Sequence, residues 1–438
     1  MERTAMQTLL AWKNAPTHPP LILRGARQVG KTWLMKAFGA QHYAQYAYIN
    51  FDRNERMKTL FDGDFSVDRI LRGLSIESGV TIEPTRTLLI LDEIQEVPAA
   101  LSALKYFAED PRDFHVIAAG SLLGIVLHGG TSFPVGKVET AYLYPLTFLE
   151  FLAATGNAPL AELITGLDFA LIAAFRDSLI EWLKLYYYIG GMPAAVNAYN
   201  QTHDLNVVRQ VQTQLLSDYA QDFSKHAPVN VVPRIRLVWD GIPAQLAKEN
   251  KKFIYSVLRE GARAKEFELA IQWLVDCGLC QKVGRVAKGG YPLMAYQDLA
   301  AFKLYLADVG LLGAMAEIDA KTLLEGNHIF TEFKGALTEQ YVCQELVAAL
   351  RVTPYYWSAD NSQGEVDFVI QRNGAVIPLE VKAEENLRAK SLKSFVATYQ
   401  LPFGIRTSMS DYRVQEHLIN LPLYAISQLW SICDPQLH

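Results

Sequence analysis

Three groups of residues have the types and spacing that chemistry needs. Gly25-x4-Gly30-Lys31-Thr32 follows a short apolar run, Leu21 to Leu23. Asp92 and Glu93 close a second apolar run, Leu88 to Leu91. Glu339, Asp367, Glu380 and Lys382 form an acid, acid, acid-x-lysine series. The first group reads as a phosphate-binding loop, in which Gly25, Ala26, Arg27, Gln28, Val29, Gly30, Lys31 and Thr32 wrap a nucleotide's phosphates. Glycine lets backbone N–H groups turn toward anionic oxygens. Lys31 then brings a point charge to the β/γ-phosphates, and the Thr32 hydroxyl ligates Mg²⁺. The helix that TWLMKAF opens presents its N-terminus to the anion. Asp92 is placed to hold Mg²⁺ through water. Glu93 reads as the general base that polarises the attacking water, or else as an ordinary surface residue after a strand. ATP and Mg²⁺ are the expected cofactors.

A third strand, Phe114 to Ala119, leads into Gly120-Ser121. Where such a strand is inserted between the loop strand and the Asp-Glu strand, a polar residue here senses the γ-phosphate, and Ser121 is that candidate. As the N-cap of SLLGIVL it has an equally sound structural role, and both readings stay open.

In the C-terminal stretch GEVDFVIQRNGAVIPLEVKA, Asn373-Gly374 between two β-rich runs signals a tight hairpin. With that turn Arg372 faces Ala375, Asp367 faces Glu380, and Glu365 faces Lys382. Alternation sends Val366, Phe368 and Ile370 to one face with Ile377, Leu379 and Val381, and the charged residues to the other. Carboxylates directly opposite destabilise a ladder unless something compensates, and a divalent cation does so. Glu339 adds an acid on an apolar helical stripe with Val342, Cys343, Leu346 and Val347. The set Glu339, Asp367, Glu380, Lys382 resembles the PD-(D/E)xK nuclease superfamily. That resemblance implies acids that bind Mg²⁺ or Mn²⁺ and a lysine that positions water or steadies the phosphorane. The competing reading is a solvated face with Lys382 paired to Glu365 across the hairpin and diagonally to Asp367.

The elements that must carry these groups suggest three units. Strands at 21–23, 46–51, 88–91, 114–119 and 139–143, with helices between them, predict a right-handed parallel α/β P-loop domain over residues 1–155. Residues 156–327 show helical apolar spacing, broken at Gly190-Gly191-Met192-Pro193. Within them, a helix over 264–276, then CGLCQKVGRVA, a Gly289-Gly290 turn and YPLMAYQ read as helix plus two-stranded wing, a winged-helix pattern able to enter a DNA groove. Residues 328–438 make the C-terminal α/β, restriction-endonuclease-like unit. Lys248, Lys251, Lys252, Arg259, Arg263 and Lys265 form a local basic cluster, read as DNA-facing or as a solvated helix face. Arg388, Lys390 and Lys393 invite the same two readings.

The strings RGARQVGKT, LLILDEIQ, AAGSLLGI and FPVGKVETAYLYPLTFLEFL, with YYYIGGMPAAV, FKLYLADVGLL and GEVDFVI…IPLEVKA further on, resemble a group of prokaryotic AAA-type ATPases. Those proteins carry a winged-helix-like segment and a C-terminal domain of unknown function. Many relatives have Gly-Arg where this chain has Gly136-Lys137. If that arginine is a finger, lysine lacks its planar fork.

Composition limits the alternatives. The chain has 438 residues, 50% apolar and 20% charged, and is expected to fold with sizeable cores. Its 41 basic and 46 acidic residues give a net charge of −5, so any nucleic-acid contact must be local. Four cysteines make no disulfide framework, Cys277-x2-Cys280 lacks partners for zinc, and the nine histidines show no ligand spacing. The start MERTAMQTLLAWKNAP has no signal-peptide core, and the stretch 141–154 is broken by Pro145 and Glu150, so no membrane span and a cytoplasmic location are expected. The combined expectation is an ATPase coupled to a DNA-binding, nuclease-like C-terminal domain, acting as a monomer or a homo-oligomer. The alternative is an ATP-driven switch or scaffold whose C-terminal domain recognises a partner without cleaving.

Overall fold

The computed structural model describes residues 1–120, 134–325, 331–359, 364–383 and 389–436. The chain divides into two compact units, one of residues 2–144 with 276–279, the other of residues 145–275 and 280–438.

The first unit is built on a five-stranded sheet of β1 (Leu21–Arg24), β2 (Gln45–Asn50), β3 (Thr87–Asp92), β4 (His115–Ala119) and β5 (Glu139–Tyr142), in the order β2-β3-β4-β1-β5. All its pairings are parallel. Parallel strands need helical crossovers that cover both faces, so the central strands read as unbroken apolar runs. Every residue of β3 and β4 is buried accordingly. Ile22, Ile49, Leu89, Leu91, Val116 and Ala118 share a core with Ile70, Leu74, Leu101 and Leu104 from the crossover helices. Strand β4 lies between β1 and β3, the inserted-strand order anticipated from the sequence.

The second unit begins with helices. Thr147 and Glu150 cap each other at the start of the helix Phe148–Ala154. Farther on, the Gly190-Gly191 break has a steric cause. A Cβ on Gly190 would lie 2.2 Å from Asp308 Oδ1, and one on Gly191 would lie 2.1 Å from the Leu146 carbonyl oxygen. Asp308 Oδ2 accepts the Gly191 N–H at 2.6 Å.

The helices lead into one mixed sheet of β6 (Cys280–Val286), β7 (Gln297–Leu306), β8 (Tyr355–Ser358), β9 (Glu365–Arg372), β10 (Ala375–Val381), β11 (Gly404–Ser408), β12 (Arg413–Gln415) and β13 (Leu418–Pro422). Its eight strands run in the order β12-β13-β11-β10-β9-β8-β6-β7. Asn373 and Gly374 both have positive φ, and the hairpin register is Arg372↔Ala375 through Phe368↔Leu379, as the Asn-Gly turn predicts. The helix Lys390–Thr398 packs Leu392, Phe395 and Val396 on Val286, Tyr355 and Val366.

Two expectations change here. The helix Ala264–Asp276 and β6 form as read, but Leu293–Tyr296 is a short 3-10 turn and the second strand starts only at Gln297. Pro292, which has no N–H and a fixed φ, precedes that turn. The run Ala301–Leu306, apolar apart from Lys303, is buried throughout instead. Moreover, β6 pairs in parallel with β8 through Gly284↔Tyr355, Arg285↔Tyr356 and Val286↔Trp357. The predicted wing is therefore the edge of the large sheet, and a division at 327/328 falls inside that sheet. All four cysteines are buried and none forms a disulfide. Among the described residues, no helix is long and apolar enough to cross a membrane.

Candidate functional site

The loop after β1 needs its glycines. Gly25 has φ 148°, and a Cβ there would stand 2.1 Å from the Leu143 carbonyl oxygen; Gly30 has φ 96° and caps the helix Lys31–His42. Ala26 and Val29 are buried beneath the loop, whereas Arg27 and Gln28 face outward. Lys31 is folded into the loop, its Nζ donating to the carbonyls of Gly25 at 2.9 Å and Ala26 at 2.8 Å. Burial pushes its pKa down to about 8, against the opposing pull of Glu93 and Asp92. An ammonium held by two carbonyls in a desolvated loop is poised to exchange them for phosphate oxygens.

The structure brings Thr32 and Asp92 together, with Thr32 Oγ1 donating to Asp92 Oδ2 at 2.6 Å. Sequence reasoning did not find Tyr48, whose hydroxyl donates to the same oxygen at 3.0 Å. Strands β2 and β3 align Asn50 with Asp92, so Tyr48 reaches along the ladder to the carboxylate. Glu93 adopts φ 52°, donates its backbone N–H to Asp92 Oδ1 at 3.2 Å, and accepts Gln95 Nε2 at 2.6 Å. That left-handed residue turns the chain at the end of β3, next to the Thr32–Asp92 pair. A hydroxyl and a carboxylate in contact are oxygen donors of the kind Mg²⁺ takes. Ser121 lies outside the described residues. Lys137 pairs with Glu109 at 3.0 Å on the surface of its own unit.

A second site lies in the other unit, where Glu339 on the helix Thr331–Ala348, Asp367 on β9 and Glu380 on β10 line one cleft with Lys382. The cleft holds about 520 Å³ and also admits Glu249 and Glu365. Glu380 Oε1 pairs with Lys382 Nζ at 2.7 Å, while Glu380 Oε2 is buried without a hydrogen-bond partner. Asp367 Oδ2 accepts the Val381 N–H at 2.7 Å, across the hairpin. The four residues predicted from the sequence thus converge.

Two lysines that the sequence did not assign to this site also enter. Lys251 Nζ lies 2.6 Å from Glu339 Oε1, and the fully buried Lys303 on β7 contacts Glu365 and stands 3.7 Å from Glu339 Oε2. The Tyr305 hydroxyl donates to Glu339 Oε2 at 3.1 Å. Burial works against ionisation of Glu339, yet Lys251 and Lys303 hold its pKa below the usual value. Burial, reinforced by Glu339 and Glu380, drives Asp367 well above the ordinary carboxylate range. Burial also raises Glu380, against the pull of Lys382. Burial therefore disfavours the charged form of both central acids, and a divalent cation would favour it. Among the described residues, the oxygens of Glu339, Asp367 and Glu380 do not gather within 4.8 Å of one another.

The cross-hairpin pairing of Lys382 with Glu365 does not form: Lys382 pairs with Glu380, and Glu365 contacts the buried Lys303. Three members of the basic cluster have local partners, while Lys252, Arg263 and Lys265 are exposed. Lys251 is committed to Glu339, Lys248 donates to Gln245, and Arg259 pairs with Glu266. Lys390 and Lys393 are exposed, and Arg388 lies outside the described residues.

Three family models match separate stretches of the chain. Residues 17–152 match an AAA domain, residues 180–322 a domain of unknown function (DUF8612), and residues 334–426 a domain of unknown function (DUF4143). No curated protein matches the chain. Among solved structures, the chain is similar to the Walker-type ATPase PABY2304 of Pyrococcus abyssi, at 15% identity and a TM-score of 0.44, over 72% of this chain and 95% of that one. It is also similar to the Aeropyrum pernix ORC1 protein in complex with DNA, at 14% identity and 0.28, over 72% and 90%. A third likeness is to Cdc6p from Pyrobaculum aerophilum, at 14% identity and 0.23, over 73% and 93%. TM-scores below 0.5 do not establish a shared overall fold.

Proposed function

We propose that this chain, whose N-terminal unit is a P-loop domain of the AAA type, binds and hydrolyses ATP and couples nucleotide turnover to its C-terminal acidic cleft. The observation that carries the ATPase reading is the Thr32–Asp92 contact beside Lys31, which joins loop and strand in one polar site. In this reading Thr32 and Asp92 hold Mg²⁺, which when bound neutralises developing charge on the β- and γ-phosphates. Lys31 leaves the Gly25 and Ala26 carbonyls for phosphate oxygens, and Glu93 orients and deprotonates the attacking water. Ser121 is the proposed γ-phosphate sensor.

For the C-terminal unit we propose a metal-dependent nucleic-acid site. Glu339, Asp367 and Glu380 would take Mg²⁺ or Mn²⁺, and Lys382 would steady the developing phosphorane charge. DNA is the proposed partner, with exposed Lys390 and Lys393 supplying charge for its backbone. Assembly of several copies belongs to the same reading, with Lys137 unable to act as a bidentate finger. One observation favours the rival, a switch with a non-cleaving recognition module: Lys251 and Lys303 already neutralise Glu339. The deciding experiment incubates the full chain with supercoiled and single-stranded DNA and with RNA, with Mg²⁺ or Mn²⁺, with and without ATP. Nicking that Asp367→Ala abolishes while ATP turnover persists supports the nuclease. Failure to cut any substrate overturns the nuclease reading.

A further inference from the structure

The nucleotide-binding unit carries a second cluster that neither proposed site uses. His18, in the segment leading into β1, meets Asp113 and His115 at the start of β4, and one donor atom from each lies within 4.8 Å of the others. Linear spacing hides this group, because His18 is far from the other two in the chain and is brought to them only by the sheet. His18 Nε2 lies 2.8 Å from Asp113 Oδ1, and His115 Nε2 lies 3.7 Å from Oδ2. Both Nε2 atoms are buried with no hydrogen-bond partner, so these approaches have the distance of an interaction without a hydrogen bond's alignment. His115 as a whole is only 5% exposed. Two buried imidazole nitrogens that face a half-exposed carboxylate without a hydrogen bond to it leave room for a different partner.

The outer contacts of the two rings fit that partner. His18 Nδ1 lies 3.1 Å from the Ala15 carbonyl oxygen, which only an Nδ1–H can use, so Nε2 is the nitrogen turned to the cluster. His115 Nδ1 lies 2.7 Å from the Tyr43 hydroxyl. Histidine ligands hold their free nitrogen this way in metal sites, with the other ring N–H bonded to a carbonyl or hydroxyl behind it. A tetrahedral ion with arms of about 2.0–2.1 Å sets its donors about 3.4 Å apart, within the 4.8 Å inside which one donor atom from each of the three residues gathers. A cavity of about 420 Å³, lined by His18, Asp113, Pro111 and Lys137, opens beside the cluster and leaves room for a water as fourth ligand.

From this geometry we infer that His18, Asp113 and His115 bind a divalent transition-metal ion of the Zn²⁺ class through two imidazoles and one carboxylate. The site is separate from the nucleotide. His115 pairs with Leu88 at the beginning of β3, whereas Asp92 pairs with Ala119 at its end, a separation of about 13 Å at the usual rise of a strand. A bound ion ties the lead-in of β1, and so the strand that carries the phosphate loop, to the lead-in of β4.

The test uses the full chain, stripped with chelator and titrated with Zn²⁺ in excess Mg²⁺, followed by calorimetry and thermal melting. Co²⁺ serves as a second probe, read by its visible absorption and by quenching of Trp12, whose ring lies 6.0 Å from His18 and 5.8 Å from His115. One equivalent of Zn²⁺ is expected to bind and raise the melting temperature. His18→Ala and Asp113→Asn should remove both effects, and Tyr43→Phe should weaken binding on the order of 10–100-fold. Asp113 sits at the surface, so its variant keeps the test open if a histidine variant does not fold. Absence of Zn²⁺ binding by the wild-type chain, or binding unchanged in both His18→Ala and Asp113→Asn, overturns the inference.

Discussion

Thr32 Oγ1 and Asp92 Oδ2 lie 2.6 Å apart, so the first turn of one helix and the last residue of β3 share a single polar contact. Nothing else in the unit links the loop's hydroxyl to a carboxylate so directly among the described hydrogen bonds, and the position of Glu93 follows from it. Glu93→Gln should keep ATP affinity while turnover falls by roughly 10²–10⁴, the usual contribution of a general base. Nucleotide binding and single-turnover hydrolysis measured side by side decide this. Wild-type turnover in the variant removes Glu93 from its role.

Gly25→Ala should damage the loop rather than the chemistry. The new Cβ would meet the Leu143 carbonyl at 2.1 Å, at a φ of 148° that side chains rarely adopt. A loss of about 1–3 kcal/mol in the stability of this unit, together with weaker ATP binding, is expected. Urea unfolding and nucleotide titration would show it.

Lys303→Met should be among the most destabilising substitutions in the second unit. It leaves Glu365 without its buried partner and takes one of the two cations from Glu339. Breaking a buried pair from one side costs about 3–5 kcal/mol. The double variant Lys303→Met, Glu365→Leu should recover part of that loss in denaturant midpoints. No recovery would mean that the pair is not what the lysine serves.

Glu345 gives a pH signature. Its Oε1 accepts the Phe148 N–H at 2.8 Å while Oε2 is buried without a partner, and burial raises its pKa to about 8. The folded chain holds this proton more tightly than the unfolded one. The resulting stability is complete below the unfolded value near 4.3 and is lost as pH rises toward about 8. Glu345→Gln should flatten the fall in urea midpoint between those limits, and an unchanged slope would assign it to other groups.

Cation binding in the acidic cleft should release protons. Asp367 and Glu380 both resist ionisation, Asp367 strongly, so Mn²⁺ titrated near neutral pH should liberate protons in proportion to occupancy. Calorimetry in buffers of different ionisation heat measures this, and Asp367→Asn should reduce it. Binding without proton release would place the ion elsewhere.

The sites were legible where chemistry is local in sequence. The phosphate loop, the Asp92-Glu93 pair and the Asn373-Gly374 register each follow from a few adjacent residues, and the register alone set Asp367 beside Glu380. What escaped was assembled at a distance. Lys303 stands inside the run AFKLYL, where a lysine reads as a break in a buried strand, and its partners Glu339 and Glu365 arrive from other elements. Lys251 looked like part of a basic face because sequence does not show which way a side chain turns. Tyr48 was one more aromatic in a strand until the β2–β3 ladder gave it Asp92. The edge hairpin β6–β7 was mistaken for a wing because its neighbour β8 lies beyond several intervening helices.

That edge also bears on inheritance. The stretches matched at 180–322 and 334–426 carry separate descriptions, yet β6 and β8 are joined across them by three residue pairs. Severing the chain between the two would bare a buried sheet edge on each fragment, a surface prone to adhere to other chains. Gene fusion and recombination should therefore have moved these two stretches as one heritable piece.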